Sequence, residues 1–173
     1  VQNGSLATMT SSDNITWTGT FTPTSDVEDA TNVLTLATTY TDTAGNAPAS
    51  TSTTDNYTVD TTAATVVAFT LSDSALKIGD TATVTLQFSE AVASFSSSAD
   101  ITVENGSLAT MTSSDNITWT GTFTPSSDVE DAENVMTLAA SYTDTAGNAG
   151  PSATTANYQV DTVRPTVAAF TMS

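Results

Sequence analysis

The chain contains no cysteine and no histidine among its 173 residues, and only two basic side chains, Lys77 and Arg164. Without cysteine there are no disulfides and no thiolate metal sites, and without histidine there are no imidazole ligands or His-based catalytic devices. The scarcity of cations, set against 19 acidic residues, gives a formal charge of −17. Nucleic acid and anionic membrane surfaces are therefore repelled, and neither is expected as a partner. No apolar run has the length needed to cross a bilayer, so no direct membrane insertion is expected in this segment. Two classes of role remain for the acidity, namely solubility in salt water and the capture of divalent cations by clustered carboxylates.

What the chain does have is repetition. Residues 1–23 return as 103–125 with one change, Gln2 becoming Glu104, and Gly4 recurs as Gly106, 102 residues later. After a one-residue deletion Asp60 corresponds to Asp161, and 61–72 correspond to 162–173. A unit of this length is a domain with its own core and not a solenoid turn. Three segments are expected: 1–60 as the C-terminal part of one repeat lacking strands A, B and most of C, 61–161 as a complete repeat, and 162–173 as the first strand of the next. The phase at both ends reads as a window on a longer array, whose role is architectural. The missing strands of the first copy are then expected from chain outside this sequence.

The periodicity within the complete repeat is two. Ala82, Val84, Leu86 and Phe88 alternate with Thr81, Thr83, Thr85 and Gln87, and Ile117, Trp119, Gly121 and Phe123 alternate with threonines. Met136, Leu138, Ala140 and Tyr142 continue the habit. One apolar face and one threonine face mark an antiparallel sheet covered on one side. Seven strands are predicted, A to G, over 65–71, 81–88, 100–103, 108–112, 117–124, 135–142 and 156–160. Turn-forming clusters such as Glu104-Asn105-Gly106 and Ala146-Gly147-Asn148 separate them. This is the pattern of an all-β fold of tandem seven-stranded immunoglobulin-like sandwiches. Trp17 and Trp119 read as core anchors of strand E. Five Asn-x-Ser/Thr triplets carry little weight in so threonine-rich a chain.

The segments Asp60-Thr-Thr-Ala-Ala-Thr, Phe88-Ser-Glu-Ala-Val92, Asp144-Thr-Ala-Gly-Asn148 and Val160-Asp-Thr162 resemble bacterial immunoglobulin-like (Big-type) repeats. Such repeats fill the extender regions of giant repeats-in-toxin (RTX) adhesins, and the resemblance covers the complete repeat and both partial ones. It implies a type I-secreted protein of the bacterial cell surface acting in adhesion and biofilm formation. It also implies neighbouring identical repeats as partners and calcium as the rigidifying cofactor. Asp161-Thr-Val-Arg-Pro165 keeps the proline common in the family, whereas Asp60-Thr-Thr-Ala-Ala64 lacks it.

Strand order indicates which loops share a pole. The B–C and F–G loops meet the start of strand A, which gathers Asp60, Glu90, Asp144 and Asn148 at the N-terminal pole of the complete repeat. Asp161 and Asp42 are the counterparts of Asp60 and Asp144 in the other copies. Calcium takes six to eight oxygens in flexible geometry, and four such side chains with backbone carbonyls or water would satisfy it. The plainer reading is that Asp144 and Asn148 shape a turn and Glu90 is a solvated loop residue. A second acidic group, Asp128, Glu130 and Asp131, recurs as Asp26, Glu28 and Asp29 and is expected in the E–F loop, either as a solvated loop or as a further calcium site. A carbohydrate- or protein-binding module is the alternative function. An enzyme is not expected, because a domain this small has no pocket-forming insertion to build an active site around a carboxylate pair.

Overall fold

A computed structural model describes residues 1–172. Its regular secondary structure is almost entirely strand, and the chain divides into two compact units, Val1–Thr62 and the residues from Ala63 onward.

The first unit carries β1 (Gly4–Leu6), β2 (Phe21–Pro23), β3 (Glu28–Asn32), β4 (Thr35–Leu36), β5 (Ser52–Thr53) and β6 (Tyr57–Asp60). They pair only two by two, as β1–β2, β3–β6 and β4–β5, all antiparallel. Ile15, Trp17, Leu36 and Tyr40 are exposed, with Trp17 at 53%. The apolar face written into the alternation is thus largely uncovered in this copy.

The second unit is a two-layer sandwich. One layer is a four-stranded antiparallel sheet in the order β12 (Gly106–Leu108), β13 (Thr118–Pro125), β9 (Ala82–Phe88), β7 (Val66–Leu71). The second layer is built from β11 (Ile101–Val103) on β15 (Met136–Leu138) on β17 (Ala153–Thr154), and from β14 (Glu130–Asn134) on β18 (Tyr158–Asp161) on β8 (Ala75–Lys77). β14 runs into β15 through Val135, which joins the two groups. β8 pairs with β18 in parallel, so the first strand of the repeat leaves one layer as β7 and enters the other as β8. Two short strands, β10 (Val92–Ala93) and β16 (Thr143–Asp144), pair at one end. A single helical turn, α1 (Ser97–Asp100), precedes β11.

The core follows from the inward phase of β9 and β13. Val84, Leu86, Phe88 and Phe123 are buried, as are Phe69, Ile101, Leu138, Tyr142, Tyr158 and Val160. Phe88 packs on Tyr142 at 4.9 Å and Phe123 on Tyr158 at 5.2 Å between ring centroids, which ties the layers together. At roughly 25 cal/mol per Å² of apolar surface removed from water, this layer contact is the main source of stability in a domain without disulfides.

Several expectations need correction. Trp119 is only partly buried against the core, as is Leu71; Ala82 and Met136 are buried as their phase implies, and Leu76, Val92 and Met111 join them. Trp119 lies edge-on to Phe95 at 4.9 Å, and its Nε1 is the one buried side-chain nitrogen without a partner among the described residues. The predicted strand over 135–142 breaks after Leu138: Ala140 and Ser141 form a turn, Ala140 is exposed, and Tyr142 re-enters the core beyond it. Trp17 is not a core anchor in the first unit.

Candidate metal centre

The F–G turn is organised by Asp144. Its Oδ1 accepts the backbone N–H groups of Ala146, Gly147 and Asn148 at 2.8–2.9 Å, and its Oδ2 accepts the Asn148 Nδ2 at 2.8 Å. Gly147 sits at φ 99°, a conformation that suits glycine, so the Asp-Thr-Ala-Gly-Asn sequence encodes this turn directly. Asp144 is 1% exposed. Burial opposes its ionisation, but the Asn148 amide and the three backbone donors outweigh it and hold the carboxyl below the usual aspartate range. The first unit repeats the motif, with Asp42 accepting from the Ala44 and Asn46 backbones and from the Asn46 side chain. Asp42 is exposed, and its carboxyl is lowered chiefly by the Asn46 amide.

Val92 of β10 pairs with Asp144 of β16, which carries the B–C loop onto the F–G turn. A carboxylate oxygen of half-buried Glu90 and one of Asp144 consequently lie within 4.8 Å of each other. Two oxygens bound to one calcium at about 2.4 Å stand at most about 4.8 Å apart, so the pair fits a shared ion. The only two basic side chains are at the other pole. Lys77 is paired with Asp80 at 2.8 Å, and Arg164 lines a shallow cavity of about 300 Å³ with Asp80 and Asp128. Asp60 ends β6 in the first unit, half-buried, with its Oδ1 accepting the Thr62 N–H at 3.2 Å.

The second acidic stretch has a different structure from the expected loop. Asp128 occupies a turn at φ 57°, but Glu130 and Asp131 begin strand β14, where Glu130 pairs directly with Asp161 of β18. Asp26, Glu28 and Asp29 repeat the arrangement, with Glu28 opposite Asp60. The Asp131 carboxylate is taken up by hydrogen bonds, Oδ2 from Asn105 Nδ2 at 2.9 Å and Oδ1 from the Glu133 N–H at 3.0 Å. Asp29 is held in the same way by Asn3 and Thr31. Among the described residues, no three carboxylates of this stretch come within ligating distance of one another.

These bonds belong to a polar latch that periodicity does not reveal. Asn134 is 1% exposed and accepts from Asn105 Nδ2 at 2.6 Å while donating to the carbonyls of Asp131 and Tyr158. The Tyr158 hydroxyl donates to the Glu104 carbonyl. The signal for it in the sequence is Asn105-Gly106, which reads only as a turn. Gly106 is required there, because an added Cβ would meet the Phe123 ring at 2.1 Å.

The sequence profile for the bacterial Ig-like domain matches residues 1–59 and again 60–160. The chain belongs to the bacterial Ig-like domain family. Two consecutive matches make it a tandem array of a module typical of bacterial surface proteins and generally structural and non-catalytic. No curated protein and no solved structure matches the chain. No helix among the described residues is long and apolar enough to cross a membrane.

Proposed function

We propose that this bacterial Ig-like array is the extender of a cell-surface RTX-type adhesin, a calcium-stiffened spacer that carries a terminal binding domain away from the cell. The single observation behind the calcium reading is the approach of Glu90 and Asp144 at the pole where strand A begins, with both basic side chains at the other pole. Two ionised carboxylates at this separation repel, and a divalent cation converts that repulsion into attraction. Asp144 Oδ1 is saturated by three backbone donors, so Oδ2, which takes a bond from the Asn148 Nδ2, is the oxygen with room for an ion. Asn148 contributes its side-chain carbonyl oxygen. Backbone carbonyls and water would complete the shell. Export, adhesion and biofilm formation rest on the family resemblance.

The alternative of a carbohydrate-binding module draws little support from the complete repeat. Every aromatic side chain between 63 and 161 is buried or half-buried, which leaves no exposed platform for a sugar ring.

The experiment is thermal unfolding in millimolar calcium, in chelator, and in sodium or magnesium chloride of matched ionic strength. Calcium should raise the midpoint well beyond the other salts, and Glu90→Gln should abolish the difference. A ligand at a hundredfold excess over its Kd stabilises by about 2.7 kcal/mol, which is readily measured. Equal midpoints in all four buffers would leave a passive spacer and remove calcium from the proposal.

A further inference from the structure

We infer that Asn105–Gly106 is a latent deamidation site that the fold keeps closed, so that a repeat which opens is chemically marked and loses its latch. Asparagine followed by glycine is the dipeptide most prone to this reaction, because glycine leaves the following backbone nitrogen unhindered. The Gly106 nitrogen attacks Asn105 Cγ, the new N–C bond forms, the Cγ–Nδ2 bond breaks and ammonia departs with the backbone proton. Water then opens the succinimide to aspartate or isoaspartate. No oxidant, reductant or enzyme is needed.

The structure blocks the first step. The Nδ2 that must depart donates to Asp131 Oδ2 at 2.9 Å and to Asn134 Oδ1 at 2.6 Å. The Asn105 carbonyl accepts the Ser126 N–H at 2.9 Å, and Gly106 is locked into β12 in register with Pro125. The side chain reaches the Gly106 nitrogen only by leaving both acceptors, which breaks its bonds to β14 at Asp131 and Asn134.

The product cannot return to the same place. An aspartate at 105 replaces a two-fold donor by a carboxylate facing the Asp131 carboxylate and the Asn134 carbonyl oxygen. Asn134 cannot turn its amide to help, since its Nδ2 already donates to the Asp131 and Tyr158 carbonyls. Both hydrogen bonds become repulsions. The chain holds one other Asn-Gly pair, Asn3–Gly4, in the equivalent latch, with Asn3 Nδ2 on Asp29 at 2.8 Å and on Asn32 at 2.7 Å. The same reactive dipeptide is therefore placed in the same protected setting in each copy.

The test incubates the full chain at pH 8.5 and 37 °C, native and in urea, and follows residue 105 by peptide mass spectrometry. Cleavage after Lys77 places the two copies in different peptides, residues 1–77 and those from 78 onward. Native deamidation of Asn105 should be at least about tenfold slower than in urea, as for any exchange limited by local opening. Equal rates would overturn the proposal. Asn105→Asp should lower the urea midpoint of the repeat, and adding Asp131→Asn, which restores a donor opposite the new carboxylate, should recover some of the loss. An unchanged midpoint in Asn105→Asp would overturn the loss of the latch. If that variant does not fold, recovery of folding in the double variant is the deciding result, and its absence counts against the proposal.

Discussion

Asp144 serves a turn and faces a neighbour of like charge, and the two roles can be separated by pH. Its folded pKa is depressed, so its contribution to stability is present above the unfolded aspartate value near 3.9 and is lost as pH falls through the folded value. Asp144→Asn should therefore flatten the acid limb of a stability–pH profile below about pH 4. Asp144→Ala, which strands three backbone N–H donors, should cost about 1–3 kcal/mol in urea unfolding at neutral pH. Tyr158 gives the opposite sign. Burial, reinforced by the Glu104 and Asp131 charges, pushes its hydroxyl up to about 12. The stability it contributes is complete below the unfolded tyrosine value near 10 and is lost as pH rises through about 12. Tyr158→Phe should remove the steep portion of that alkaline loss, at a cost near 1 kcal/mol at pH 7 from the missing hydrogen bond.

At the scale of the element, two identical stretches in different surroundings offer an internal control. Residues 15–21 and 117–123 have the same sequence, yet β13 is covered by β9 whereas β2 pairs only with β1. Trp119→Ala should cost about 3 kcal/mol, the low end for a large aromatic because the ring is only partly buried. Trp17→Ala in the first unit should cost within about 0.5 kcal/mol, as expected of an exposed position. Comparable losses for both would show that the stretch 15–21 is covered in solution. Alternation is a good guide to β9 and β13 because one-sided burial imposes a period of two on them. It gives no sign of β8, β10 or β16, which are two or three residues long and too short to show a period. It also misses β14, whose buried anchor is Asn134 and not an apolar residue. The acidic stretch reads as loop for that reason.

For the whole molecule, the grouping of Glu90 with Asp144 is legible because it depends only on strand order, which places alternate loops at one pole. The latch of Asn105, Asn134 and Tyr158 is not, because hydrogen bonding between distant polar side chains leaves no periodic trace. In small-angle scattering of a multi-repeat chain, chelator should reduce the maximum dimension and calcium restore it, while Glu90→Gln should stay insensitive to both. Sodium chloride should not substitute, since screening a charge of −17 relieves repulsion without joining the loops.

The parallel pairing of β8 with β18 has a consequence for a repeat under tension. Ala75, Leu76 and Lys77 lie beside Gln159, Val160 and Asp161, and the two strands point the same way although they stand near opposite ends of the repeat's sequence. Tension that reaches β8 through β7, and β18 from the other end of the repeat, drags the two strands past each other along their length. Their hydrogen bonds, lying across that motion, are loaded together in shear and must break together. The antiparallel edge of β12 on β13, pulled at right angles to its strands, would instead unzip bond by bond. A repeat stretched from end to end in a single-molecule experiment should accordingly rupture at higher force than one gripped across that edge, so that a chain of such repeats resists drag along its own axis best.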